Sequence, residues 1–117
     1  MGAFQSIQIG LGHPELFHYV LAYSGGFGGI GPETPGEIET KSPWKELLAN
    51  PEQTKKNLRL LFLGSGQQET PMLQPGKRLV KLFNEKGINT VWKDYPGGHV
   101  FSVWRNHLNY TAPMLFR

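Results

Sequence analysis

The chain of 117 residues contains no cysteine, which excludes disulfides, thiolate catalysis and cysteine metal ligands. It also has no apolar run near the roughly 20 residues that a membrane-spanning helix needs. Residues 1–12 lack the basic and apolar regions of a signal peptide, because Gln5, Ser6 and Gln8 interrupt the apolar positions. If the sequence starts inside a longer protein, the missing signal leaves the compartment open.

Neither nucleic acid nor a metal ion is predicted as a partner. The net charge is +3, but the Lys and Arg residues are dispersed and form no basic stripe with interleaved aromatics. The densest group, Lys77, Arg78 and Lys81, has the spacing of a solvated helix face. No two of the four histidines have the i, i+4 spacing of a zinc site with a carboxylate partner. No feature calls for a cofactor.

Apolar periodicity predicts alternating helices and strands. Strands are expected at residues 19–23, 58–63 and 88–95, and helices at 2–11, 42–49, 74–86 and 100–115. The stretch between Phe27 and Ser42 is rich in Gly, Pro, Glu and Thr, so it is predicted to be a loop over one face of the fold. Such alternation is typical of an α/β fold with a parallel sheet of about three strands and flanking helices.

The pattern opens with a helix that has no strand before it, so the first strand is left as an exposed apolar edge. A parallel sheet of three strands is also difficult to bury on both faces. We therefore expect that N-terminal material is missing, and that residues 1–117 form the C-terminal half of one α/β domain.

Each predicted strand ends in a Gly-rich turn that carries polar side chains: Ser24, then Glu69, then His99. Ligands of open α/β sheets bind beyond the carboxyl ends of the strands. An acid followed by a histidine one strand-helix unit later is the order of acid and base in serine hydrolases of this class. Asp94 is a rival acid, although it lies only five residues before His99.

Five segments carry a family resemblance. They are MGAFQ at residues 1–5, HPELF at 13–17, YSGG at 23–26, LGSGQQE at 63–69 and PGGHVFSVWR at 96–105. In this order they resemble the esterase D and feruloyl esterase group of α/β-hydrolases. The opening MG resembles the residues that follow the nucleophile in that group's Gly-x-Ser-Met-Gly-Gly turn. The likeness spans essentially the whole chain, but the serine itself has no counterpart.

The resemblance implies roles for individual residues. His99 is expected to be the general base and Glu69 its orienting acid, although that group usually has Asp at this position. The backbone nitrogen of Met1 is expected at the oxyanion hole, and Ser24 and Phe27 at the substrate cleft. The implied substrates are acylated carbohydrates, such as feruloyl or acetyl esters of plant polysaccharide, or small esters, without a cofactor. A secreted or periplasmic parent protein is the corresponding expectation.

Two alternatives stay open. The chain is expected to be inactive because it has no counterpart of the nucleophilic serine. It could instead be a stand-alone, non-catalytic binding module or pseudoenzyme that self-associates through the exposed strand edge. Acyltransferases and prolyl-oligopeptidase-type peptidases also carry a Gly-His before the last helix, here Gly98 and His99. The upstream sequence would separate these chemistries.

Overall fold

A computed structural model describes residues 1–25, 36–37, 39 and 44–117. The predicted elements that fall within this part of the chain are present, with altered bounds. In chain order the helices and strands of the structure are α1 (Gly2–Gly12), β1 (Tyr19–Tyr23), α2 (Lys45–Ala49), α3 (Pro51–Asn57), β2 (Leu60–Gly66), α4 (Thr70–Glu85), β3 (Thr90–Tyr95), α5 (Phe101–Thr111) and a 3-10 turn (Ala112–Met114). The predicted start of α2 at Ser42 and Pro43, and most of the predicted loop, lie outside the described residues.

The three strands form one parallel sheet in the order β1-β2-β3, with Tyr19 opposite Leu60 and Leu61 opposite Thr90. All seven residues of β2 are buried, as expected for a central parallel strand that is covered on both faces. Burial in β1 alternates along the strand, and among the described residues β1 pairs only with β2. The predicted α/β architecture is confirmed.

Helices cover the two faces of the sheet. On one face, α1 and α4 pack over alternate strand residues in a single apolar cluster. That cluster includes Ile7, Leu11, Val20, Ala22, Leu61, Leu63, Leu79 and Phe83. On the other face α5 places His107 against the rings of Tyr23, Phe62 and Tyr95. Because strand side chains alternate between the two faces of the sheet, the same three strands pack against the helices on both sides.

Gly10 sets how closely α1 approaches the sheet. A methyl group at Gly10 would lie 2.6 Å from a side-chain methyl of Val20. Gly10 therefore allows α1 to lie close to β1.

One helix begins earlier than the sequence predicted, and another helix was not predicted. The helix α4 begins at Thr70 rather than at residue 74, with Pro71 in its first turn, where a missing N–H costs nothing, and with Pro75 inside the helix. The helix α3 was not predicted, although Pro51 at its start and Glu52 in its first turn are both favourable N-terminal residues.

Candidate active site

The turns after the three strands bring Ser24, Glu69 and His99 together at one edge of the sheet. The Nδ1 atom of His99 lies 2.7 Å from Oε1 of Glu69. The other carboxylate oxygen, Oε2, accepts a hydrogen bond of 2.6 Å from the Ser24 hydroxyl and one of 2.7 Å from the N–H of Gly66. The sequence predicted the shared edge, because the carboxyl ends of parallel strands lie on the same side.

Glu69 reaches this position by folding back over its own turn. Its N–H donates to the carbonyl oxygen of Gly66 at 3.0 Å, and its carboxylate accepts from the Gly66 N–H. The Glu69 side chain is thus held close to the backbone that precedes it. Only 9% of the residue is exposed.

The electrostatics of the site keep Glu69 ionised. Burial raises the pKa of the Glu69 carboxyl, but hydrogen bonds from Ser24, Gly66 and His99 stabilise the charged form and outweigh it. The net result is a pKa below the ordinary value. A carboxylate facing Nδ1 selects the neutral imidazole that carries its proton on Nδ1. That tautomer leaves Nε2 unprotonated and able to accept a proton.

The His99 ring is exposed to the groove that runs past it. Its side chain is 60% exposed, and Trp104 contacts it edge-to-face with 5.0 Å between ring centroids. The groove has a volume of about 440 Å³. It is lined by Met1, Gly2, Ala3, Ser6, Leu21, Tyr23, Ser24, His99 and Trp104. The start of α1 and the histidine therefore face the same space.

Asp94 is occupied by other partners. Its carboxylate accepts hydrogen bonds from Trp92 Nε1 at 2.8 Å and from Gln67 Nε2 at 2.9 Å. Lys77 lies 3.7 Å away. The hydrogen bond from Trp92 is the main cause of a lowered pKa for Asp94. Of the two acids considered, Glu69 is the one in contact with His99.

The remaining predicted site residues divide into two groups. Met1 lies at the N-terminal end of α1 beside the groove, and Ser24 lines the groove while its hydroxyl turns to Glu69. Phe27 lies outside the described residues. The Ser24–Glu69 contact was not foreseen, because a serine that ends a strand has the same sequence signal as an ordinary turn serine.

The described ranges, residues 1–25, 36–37, 39 and 44–117, contain neither a metal cluster nor a membrane span. No group of three or more His, Asp or Glu side chains there could hold a metal ion. No helix in the same ranges is both long and apolar enough to span a membrane.

A family model described as "Putative esterase" matches residues 1–115. The chain belongs to this esterase family. A solved structure of a ferulic acid esterase is similar to it, with a TM-score of 0.69 and 22% sequence identity. The match covers 97% of this chain but 46% of the ferulic acid esterase chain, so this chain spans about half of that length. At this identity the likeness establishes the fold. No curated protein sequence matches the chain significantly.

Proposed function

We propose that this esterase-family chain carries the acid and the histidine of a carboxylic ester hydrolase that works through an acyl-serine intermediate. The observation that carries the proposal is the 2.7 Å contact between Nδ1 of His99 and a carboxylate held by two further donors. The same orienting contact fixes the tautomer of the histidine in Ser-His-acid triads.

In the proposed reaction, Nε2 of His99 takes the proton of a serine hydroxyl as the serine oxygen attacks the ester carbonyl. The Glu69 carboxylate stabilises the resulting imidazolium. The tetrahedral intermediate then expels the alcohol, which receives the proton from Nε2. Water, activated by the same nitrogen, attacks the acyl-serine and releases the carboxylic acid and the free serine.

The serine is proposed to lie directly before Met1 in a longer polypeptide. Met1 lines the same groove as His99, so a preceding residue would start close to the imidazole. With a peptide bond on its nitrogen, Met1 would also present an N–H to the oxyanion, as the residue after the nucleophile does in α/β-hydrolases. As a free N-terminus that nitrogen is an ammonium group. The chain alone is therefore proposed to be inactive.

The substrates proposed are feruloyl or acetyl esters of carbohydrates, or small esters. Support comes from the family and from the similarity to a ferulic acid esterase. Within the groove, Trp104 and Leu21 supply apolar surface beside His99, which suits an acyl group.

Hydrolysis of methyl ferulate by the purified chain tests the proposed inactivity. A free imidazole reacts directly with activated esters, whereas methyl ferulate has a poor leaving group and keeps that background low. We expect no saturable hydrolysis above that of a His99→Ala variant. A saturable rate that disappears in His99→Ala would mean that the chain holds its own nucleophile, and the proposed external serine would be wrong.

A second candidate function, a binding module that self-associates, is favoured by the outer edge of β1, with which no strand pairs among the residues that the structure describes. The carbonyl of His18 and the N–H of Ser24 bond to β2. The N–H and C=O of one strand residue point to the same edge, and those of the next residue point to the opposite edge. Tyr19, Leu21 and Tyr23 therefore present theirs to the open side. Apolar grooves of about 510 and 530 Å³ flank this edge, and both are lined by Phe17, Tyr19 and Leu21. The occupant in this candidate is a second copy of the chain.

Sedimentation equilibrium of the chain tests self-association. Ile9 lines one of the two grooves and is 54% exposed, so Ile9→Lys should dissociate a dimer formed at this edge. Leu108 is equally exposed on α5 and lines neither groove, which makes Leu108→Lys the matched control. A monomeric parent chain, or equal effects of the two variants, would contradict pairing through this edge.

A further inference from the structure

The Ser24 hydroxyl does more than line the groove. Ser24 is 3% exposed and donates a hydrogen bond of 2.6 Å to Oε2 of Glu69. A hydroxyl this close to an ionised carboxylate makes a charge-assisted bond, which is stronger than a bond between neutral groups. The residue also has a φ of +57°, in the left-handed region that residues with a Cβ rarely occupy. The turn after β1 therefore holds Ser24 in a rare backbone conformation, in which its hydroxyl contacts Glu69.

Glu69 needs such a contact because its terminal torsion is weakly restrained. The last torsion of a glutamate is broad and roughly twofold, so the carboxylate can rotate unless both oxygens are held. The N–H of Gly66, the last residue of β2, donates to Oε2 and lies only three residues before Glu69 in the chain. Ser24 directly follows β1, and its own N–H bonds to the carbonyl of Gly64 in β2. Its hydroxyl therefore gives the carboxylate a second donor from another part of the sheet.

We infer that Ser24 is a positioning residue: it fixes the Glu69 carboxylate so that Oε1 faces Nδ1 of His99, and thereby selects the tautomer with an unprotonated Nε2. The inference rests on the proposed function of Glu69 and His99. Which ring nitrogen carries the proton is set by the hydrogen bond that the other nitrogen makes. An imidazole without a fixed hydrogen-bond partner at Nδ1 no longer favours the tautomer that carries its proton on Nδ1.

The test is an NMR measurement of the His99 tautomer in the ¹⁵N-labelled chain, at a pH where the ring is neutral. In the parent chain we expect Nδ1–H to exceed Nε2–H by about tenfold, the ratio that corresponds to about 1.4 kcal/mol of preference. In Ser24→Ala and Ser24→Gly the ratio should fall to about one or below, since a net hydrogen bond is worth roughly that amount. The signal comes from His99 itself and does not require activity.

Two further variants show whether a changed tautomer ratio comes from the lost Ser24 hydroxyl or from a disturbed fold. Glycine accepts a φ of +57° without strain, so Ser24→Gly removes the hydroxyl while leaving the backbone turn undisturbed. Ser65 is another fully buried serine, whose hydroxyl bonds to the carbonyl of Gly66 and not to Glu69. Ser65→Ala is the matched control and should keep the parent ratio.

The outcomes are distinguishable. A Ser24→Gly variant that keeps the tenfold preference for Nδ1–H would overturn the role of Ser24 and leave the proposed function standing. A parent chain without any preference for Nδ1–H would overturn the proposed roles of Glu69 and His99 themselves. A loss of preference in both Ser24 variants, with Ser65→Ala unchanged, supports the inference.

Discussion

A single methyl group added at Gly66 should separate the acid from the histidine. A Cβ at Gly66 would lie 2.3 Å from the carbonyl oxygen of Gly97 and 2.6 Å from that of Gly98. The shorter distance is about 1 Å less than an ordinary C···O contact. Both obstacles are backbone atoms, so no side chain can rotate away. The turn that carries His99 must move by about 1 Å, and the 2.7 Å contact with Glu69 would then exceed hydrogen-bonding distance.

The cost of Gly66→Ala should be that of overpacking a tightly packed region, about 1–3 kcal/mol. With a urea slope of about 2 kcal/mol/M, the unfolding midpoint should fall by roughly 0.5–1.5 M. Tryptophan fluorescence in a urea titration measures it. The matched control is Gly98→Ala, whose new methyl would lie 3.6 Å from the nearest atom, Oε1 of Gln68. Equal midpoints for the two variants would refute the claim that the turns need glycine for close approach.

Two further predictions concern the acids and the buried histidine. In a polypeptide extended upstream to include the serine, Glu69→Gln should lower kcat for ester hydrolysis by on the order of 10³-fold or more, whereas Asp94→Asn should change kcat less than about threefold. Steady-state kinetics measures both, and a larger loss in Asp94→Asn would make Asp94 the orienting acid instead of Glu69. Burial lowers the pKa of His107, so the unfolded chain binds more protons and stability should fall as pH drops below about 6.5. His107→Gln, which keeps a donor for the Lys93 carbonyl, should flatten this dependence in urea titrations between about pH 7 and pH 5, and an unchanged slope would contradict it.

The sequence was sufficient to place Glu69 and His99 at one edge because that placement follows from topology. Alternating apolar runs predicted three parallel strands, and parallel strands carry their following turns on the same side. The structure adds the distance of 2.7 Å between the two side chains. The resemblance favoured Glu69 over Asp94, but the sequence could not show the donors that surround each carboxylate. Trp92 and Gln67 bind Asp94.

Other features depend on local geometry that a pattern does not encode. The hydroxyl of Ser24 reaches Glu69 because its backbone is in the left-handed region, which the residue type does not predict. The early start of α4 was missed because Pro75 is typical of a helix end or first turn, whereas here it lies within the helix. The helix α3 was missed although Pro51 and Glu52 signal its start, because the preceding helix ends only two residues before.

The decisive measurement is the sequence of the coding DNA upstream of Met1, because the proposed hydrolysis needs a serine from outside this chain. We predict an open reading frame that encodes Gly-x-Ser immediately before Met1, which would place the nucleophile beside the groove shared by Met1 and His99. An in-frame stop codon followed by a ribosome-binding signal would contradict the account. The self-associating binding module would then be the better description of the chain.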